Sequence, residues 1–248
     1  MWIFCCGMYR SASTLQFQLT VQIVERTAVG KQIPWVESKH FPEIYAQYAN
    51  YTGLKVFKIH ICTDFITSEL IKKNVKSVYI IRDIRDVYAS SIKQRLKTFE
   101  QLWGEGFLNK CLDNYKKWTA FPEVLVSRYE KVIVDLPTEV ERIAEHLDIP
   151  LTSKQCKEIA FEYTIEKQLK RIEEFKKCFC NQVPYIEEGK SIVNYHDSRS
   201  LLHINHIDSG KIGRWKEDLS QNQVARIENQ VKTWCLENNR KLDEIFFE

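Results

Sequence analysis

The stretch from Met1 to Gln16 constrains the fold of this chain more than any other. It reads as a strand, Trp2-Ile3-Phe4-Cys5-Cys6, a tight turn, Gly7-Met8-Tyr9-Arg10-Ser11-Ala12-Ser13-Thr14, and the start of a helix. The apolar run has no polar break, as a strand buried on both faces requires. The turn is rich in small residues and hydroxyls. Thr14 is placed to accept from backbone N–H groups, and Leu15, Leu19 and Ile23 continue at fourfold spacing. A turn that feeds a helix N-terminus points several N–H groups at one spot, and the helix dipole adds to their field. That spot is expected to bind an oxyanion. The plainer alternative is an ordinary strand-to-helix turn.

At 248 residues the chain has material for one large α/β domain or two small ones. Six prolines and eight glycines leave no compositional linker, so one domain, 1–248, is expected. An apolar content of 44% supports a packed core, and a net charge of +3 is too small to argue for nucleic acid. No apolar run approaches the roughly twenty residues of a membrane span. Met1-Trp2-Ile3 has no basic region before its apolar run, unlike a signal peptide, which predicts a cytoplasmic protein. The eight cysteines lie mostly in apolar segments and read as buried free thiols. Cys178 and Cys180 with His196, His203 and His206 lack zinc-site spacing, so no metal is expected.

Strands and helices alternate along the chain. Leu54 to His60 and Ser77 to Ile81 read as strands, followed by helices near Thr63 to Asn74 and after Arg82. Phe107 to Phe121 reads as a helix and Val124-Leu125-Val126 as a strand. A helix opens at Leu136 and stops before Pro150, and Thr152 to Lys177 makes one or two charged helices. Gly30 to Pro42 reads as an exposed loop, followed by a helix near Glu43 to Tyr51; core packing explains most of the aromatics here, with a pocket lining open to some. Asn181 to Asp208 reads as irregular, and Gln221 to Leu236 as the last helix. This alternation predicts a mainly parallel central sheet flanked by helices, with Arg10, His60 and Arg82 at one sheet edge.

The first turn compares with the nucleoside-triphosphate P-loop, Gly-x-x-x-x-Gly-Lys-Ser/Thr. Gly7 and Thr14 hold its first and last positions, but Ala12 replaces the second Gly and Ser13 the Lys. Loss of that Lys argues against ATP or GTP chemistry, and a cation stands instead at Arg10. Here the chain resembles the sulfotransferases that use 3′-phosphoadenosine 5′-phosphosulfate (PAPS). Arg10-Ser11-Ala12-Ser13-Thr14-Leu15 is similar to their 5′-phosphosulfate loop, with Ala12 where Gly is usual. Lys58-Ile59-His60 stands where cytosolic members carry Lys-x-His. Arg82-Asp83-Ile84-Arg85-Asp86-Val87-Tyr88-Ala89-Ser90 resembles their Arg-Asp/Asn-Pro-Arg/Lys-Asp-Val-x-x-Ser, with Ile84 in place of Pro. Tyr129 matches a Tyr-Glu strand end. Gly210, Gly213, Trp215 and Lys216 match the late Arg-Lys-Gly-x-x-Gly-x-Trp-Lys loop, whose Arg-Lys pair is here Asp208-Ser209.

The resemblance implies a P-loop NTPase-like α/β fold and an enzyme that moves a sulfuryl group from PAPS to an acceptor hydroxyl or amine. It implies His60 as general base, Lys58 and Arg10 as charge stabilisers, and Arg10 to Thr14 as the phosphosulfate loop. It further implies Arg82 and Ser90 on the 3′-phosphate, Tyr129 near the adenine, and Gly210, Lys211 and Gly213 in the closing loop, with Lys211, Arg214 or Arg199 replacing the missing cations. PAPS, with 3′,5′-adenosine bisphosphate as product, would be the cofactor, without metal. The partner would be a small-molecule or carbohydrate acceptor, not nucleic acid. A P-loop kinase and a non-catalytic nucleotide-binding protein remain open alternatives, as do the acceptor and the oligomeric state.

Overall fold

The computed structural model describes residues 1–178, 185–187, 190–192, 197–204, 207 and 210–247. The first apolar run is β1 (Trp2–Gly7), buried at every residue and central in a five-stranded sheet. Its side chains alternate. Trp2, Phe4 and Cys6 enter the core on one face of the sheet, and Ile3 and Cys5 on the other.

The chain continues through α1 (Ser13–Arg26), β2 (Gly30–Gln32), α2 (Phe41–Gln47), β3 (Leu54–Lys58), α3 (Asp64–Ile71), β4 (Val75–Ile81) and α4 (Ile84–Arg95). Two helices, α5 (Phe99–Gly104) and α6 (Phe107–Trp118), lead to β5 (Val124–Arg128). Helices α7 (Tyr129–Val132), α8 (Leu136–His146), α9 (Ser153–Phe161) and α10 (Ile165–Cys178) follow. A short antiparallel pair, β6 (Tyr185–Glu187) and β7 (Lys190–Ile192), precedes α11 (Trp215–Asp218) and α12 (Gln221–Asn238).

The sheet order is β2-β3-β1-β4-β5, with every neighbouring pair parallel. From β1 the chain leaves toward β2, and from β4 it leaves toward β5. A crevice therefore opens at the carboxyl ends of β1 and β4, where such sheets hold ligands. One face packs Phe57 and Tyr79 against Leu70, Val87, Trp118 and Val231 from α3, α4, α6 and α12. The other packs Val56, Val78 and Ile80 against Leu19, Val140 and Ile159 from α1, α8 and α9.

Several elements differ from the sequence expectation. The loop expected from Gly30 holds an edge strand, β2, whose Lys31 pairs with Lys55 of β3. Most of the nearby aromatics pack in or against the core, the reading expected for them. Phe41, Tyr45 and Tyr48 lie 5.1, 5.6 and 6.3 Å from the Trp2 ring. The segment from Thr152 to Lys177 is two helices, one of the two outcomes expected, the first opened by a capping box between Thr152 and Gln155. Leu19 and Ile23 are core residues, but Leu15 turns to the crevice. Much of Asn181 to Asp208 lies outside the described residues, His196 and His206 among them, and so does Cys180. Among the described residues six cysteines are free and buried, and no helix is long and apolar enough to cross a membrane.

Candidate active site

β1 ends beneath β4. A Cβ on Gly7 would sit 2.7 Å from Ile80 Cγ2 and 2.8 Å from the Ile80 carbonyl, so only glycine lets the strands meet this closely. The Met8 N–H donates to that carbonyl at 2.9 Å. Ser11 is fully buried, with Oγ 2.5 Å from the Met8 carbonyl and 2.9 Å from that of Ile80, so its hydroxyl closes the turn from within. Arg10 and Ala12 both take left-handed backbone, φ 59° and 69°. Ala12 caps α1 without a side-chain acceptor. Ala12, Ser13, Thr14 and Leu15 then line a cavity of about 320 Å³. A helix opening there presents N–H groups and the positive end of its dipole.

Thr14 does not cap the helix as expected. Its hydroxyl accepts from the Lys58 ammonium. Period-two alternation explains how. Val56 lies on the α1 face of β3, so Lys58 shares that face and reaches the first turn of α1. Burial lowers the Lys58 pKa to about 7. Two residues on, His60 Nδ1 lies 3.5 Å from the Gly7 carbonyl. Its own carbonyl accepts from Asn114 Nδ2 and Trp118 Nε1, each at 3.0 Å. The ring stacks on Tyr9 at 5.5 Å. Burial first, and the Lys58 charge second, lower the His60 pKa to about 4, so the imidazole is neutral at pH 7. With Nδ1–H turned to Gly7, Nε2 keeps its lone pair.

At the end of β4, Arg82 is buried against the ring of Tyr129, 4.4 Å from its centroid. Arg82 donates to the Arg10 carbonyl at 3.3 Å and the Lys211 carbonyl at 2.9 Å, and its Nε is buried without a partner. Arg10 Nε donates to Ser90 Oγ at 3.0 Å, two turns into α4. The Tyr129 hydroxyl donates to the Gly210 carbonyl at 2.7 Å. Gly210 has φ 67°, and a Cβ there would press Ile165 at 2.9 Å.

Arg10, Ala12, Ser13, Thr14, Lys58, His60, Arg82, Ser90, Tyr129 and Gly210 thus line one cavity. Ser11, Lys211 and Gly213 stand behind its wall. The Lys211 ammonium pairs with Glu217, and the Gly213 N–H donates to Asp86 at 2.9 Å. Of the three cations considered for the late loop, Arg214 lines the cavity. Arg199 is exposed and pairs with Glu25 at 3.5 Å. Asp208 and Ser209 lie outside the described residues.

Two residues carry more than their sequence context signalled. Asp86 is buried and fastens the late loop to α4. It accepts from the N–H groups of Gly213 and Trp215 at 2.9 and 3.0 Å and pairs with Arg82 at 3.3 Å. Arg85 is buried between the Trp215 and Phe246 rings. It pairs with Asp83 at 2.7 Å and Glu228 at 2.9 Å. Among the described residues, five Lys or Arg side chains and His60 line the cavity, and no Asp or Glu does. No cluster of His, Cys, Asp and Glu able to hold a metal occurs among the described residues. The arrangement suits a polyanion held beside a neutral imidazole.

Known proteins share this framework. The chain is similar to cytosolic sulfotransferase 17 of Arabidopsis thaliana, at 27% identity over 264 residues, 92% of this chain and 72% of that protein. Its fold is similar to that of retinol dehydratase in complex with androsterone and inactive cofactor PAP, with TM-score 0.65 and 19% identity, over 94% of this chain and 80% of that one. It is also similar to a mouse sulfotransferase complexed with PAP, with TM-score 0.62 and 15% identity, over 92% and 82% of the two chains. The family model for the sulfotransferase domain matches residues 6–244. The five-stranded parallel sheet, the crevice and this match lead to one conclusion: the chain belongs to the sulfotransferase family.

Proposed function

We propose that this chain transfers a sulfuryl group from PAPS to a hydroxyl or amine of a small-molecule or carbohydrate acceptor. One observation carries the reading. The first turn of α1, Lys58, the Arg10–Ser90 pair and Arg82 line a single cavity that has no carboxylate among the described residues. The PAP bound by relatives of the same fold, read as 3′,5′-adenosine bisphosphate, supports it. The buried, unpartnered Arg82 Nε supports it too, since a phosphate oxygen would satisfy that donor. When bound, PAPS would supply the sulfuryl group and a nucleotide leaving group.

The chain's own residues would do the rest. The loop from Arg10 to Thr14 would hold the phosphosulfate on backbone N–H groups, with Ser11 keeping the turn closed. Lys58 would bring from β3 the ammonium that a P-loop kinase carries at the position of Ser13. Arg82 and Ser90 would hold the 3′-phosphate, and Tyr129 and Gly210 would form the closing wall, backed by Lys211 and Gly213. His60 Nε2 would take the proton of the attacking hydroxyl, and Arg10 and Lys58 would stabilise charge on the departing phosphate. The whole chain would act as one domain. A cytoplasmic setting agrees with the relative's name and with six buried free thiols.

Two variants test the roles. His60→Ala should lower turnover by about 10²–10⁴-fold while 3′,5′-adenosine bisphosphate still binds. Arg82→Ala should chiefly weaken that binding. Normal turnover by both variants would remove these assignments.

A further inference from the structure

Beyond His60, the cavity wall continues onto the last turn of α4, where Gln94 and Arg95 line it. Arg95 is held by rings. Its guanidinium carbon lies 5.4 Å from the Tyr9 centroid and 5.0 Å from that of Phe107. Tyr9 is the same ring that stacks on His60, so one side chain touches both the imidazole and the guanidinium. Other cations at this end of α4 have carboxylate partners. Lys93 pairs with Asp218 at 3.4 Å, and Lys97 with Glu105 at 2.6 Å. Glu105 is the carboxylate whose field Arg95 also feels, and Lys97 already holds it. Arg95 makes no ion pair among the described residues.

The other cations of the cavity have work in the reading above. Arg10, Lys58 and Arg82 face the nucleotide, and Arg214 stands on the late loop. Arg95 stands apart from that set, against the Tyr9 ring that also stacks on the imidazole, and it follows the neutral amide of Gln94 on the cavity wall. A partly exposed guanidinium fixed on two ring faces is a pre-ordered fork for a carboxylate, sulfate or phosphate.

Resting on the sulfotransferase reading, we infer that the acceptor is anionic. Its nucleophilic hydroxyl meets His60, and a fixed negative charge on the same molecule is held by Arg95. Arg95 is then a specificity-determining residue that selects acidic hydroxyl compounds over neutral ones.

The test is calorimetric titration with two matched probes, 4-hydroxyphenylacetate and its methyl ester, each with and without saturating 3′,5′-adenosine bisphosphate. The carboxylate should bind about tenfold tighter than the ester, the effect of one charged hydrogen-bonded contact. Raising salt from about 50 to about 500 mM should shrink that gap in the wild type. Arg95→Met, which keeps an apolar stem against Tyr9, should bring the two probes within about twofold and leave bisphosphate affinity unchanged. Equal or weaker binding of the carboxylate, binding of neither probe, or a gap that survives in Arg95→Met would overturn the inference. Failure of the wild type to bind the bisphosphate would strike the sulfotransferase reading. The probes titrated without nucleotide would still score Arg95 separately.

Discussion

Lys58 and Ala12 each sit in an environment their residue type resists. The Lys58 ammonium is buried and its pKa is lowered to about 7, so above that pH much of it is neutral in the empty site. A bound anion favours the charged form and raises the pKa. Bisphosphate binding at about pH 8.5, above the phosphate's own titration, should therefore take up as much as about one proton. Calorimetry in buffers of different ionisation heat reads this directly. The uptake should vanish in Lys58→Met, and a heat independent of buffer would contradict the assignment. Lys58 also bears on stability. Its pKa is lower folded than unfolded, so the unfolded chain binds more protons between about pH 7 and 10.5. Stability from this group rises with pH across that window. Ala12 holds φ 69° at the cap of α1. Left-handed backbone strains any side chain but costs glycine nothing, while glycine loses more entropy on folding. Ala12→Gly should then stabilise the protein by about 0.5–1 kcal/mol in denaturant unfolding. A loss of stability would mean the turn tolerates Ala without strain.

Helix α4 organises the site by its two ends. Its first turn carries Asp83, whose carboxylate caps the helix, pairs with Arg85 and accepts the Phe247 N–H at 2.9 Å. Ile84, where relatives of the motif have Pro, is the first helical residue, a position that accepts either. One turn later Asp86 ties the late loop to Arg82. Asp86→Ala would leave two backbone N–H groups without an acceptor and the buried Arg82 without its carboxylate. A stability loss of about 3 kcal/mol is expected, with bisphosphate binding weakened by tenfold or more. Unfolding curves and titration of the same variant check both. Wild-type affinity would contradict a role for the late loop in the site.

At the scale of the whole molecule, the parts most legible in the sequence are those whose physics is local. β1 and β4 announce themselves as apolar runs and β3 by its alternation, and the side chains just past their ends, Arg10, His60 and Arg82, reach one edge because a parallel sheet aligns carboxyl ends. β2 is silent because Gly30-Lys31-Gln32 has no apolar pattern and exists as a strand only through pairing with β3. Thr14 was legible as a hydroxyl but not as the partner of Lys58, forty-four positions away. The burial of Asp86 and Arg85 is not legible in the sequence because their partners lie on a distant loop and on α12. Charge burial of that kind depends on tertiary packing, which local spacing does not encode. The central claim is that the crevice binds a nucleotide through its 3′-phosphate. Calorimetric titration with 3′,5′-adenosine bisphosphate, against 5′-AMP and ATP, tests it most directly. Binding should need no magnesium and should weaken about 100-fold for 5′-AMP, the loss of two charged contacts to Arg82 and its neighbours. A preference for ATP with magnesium, or no binding of any of the three, would contradict it.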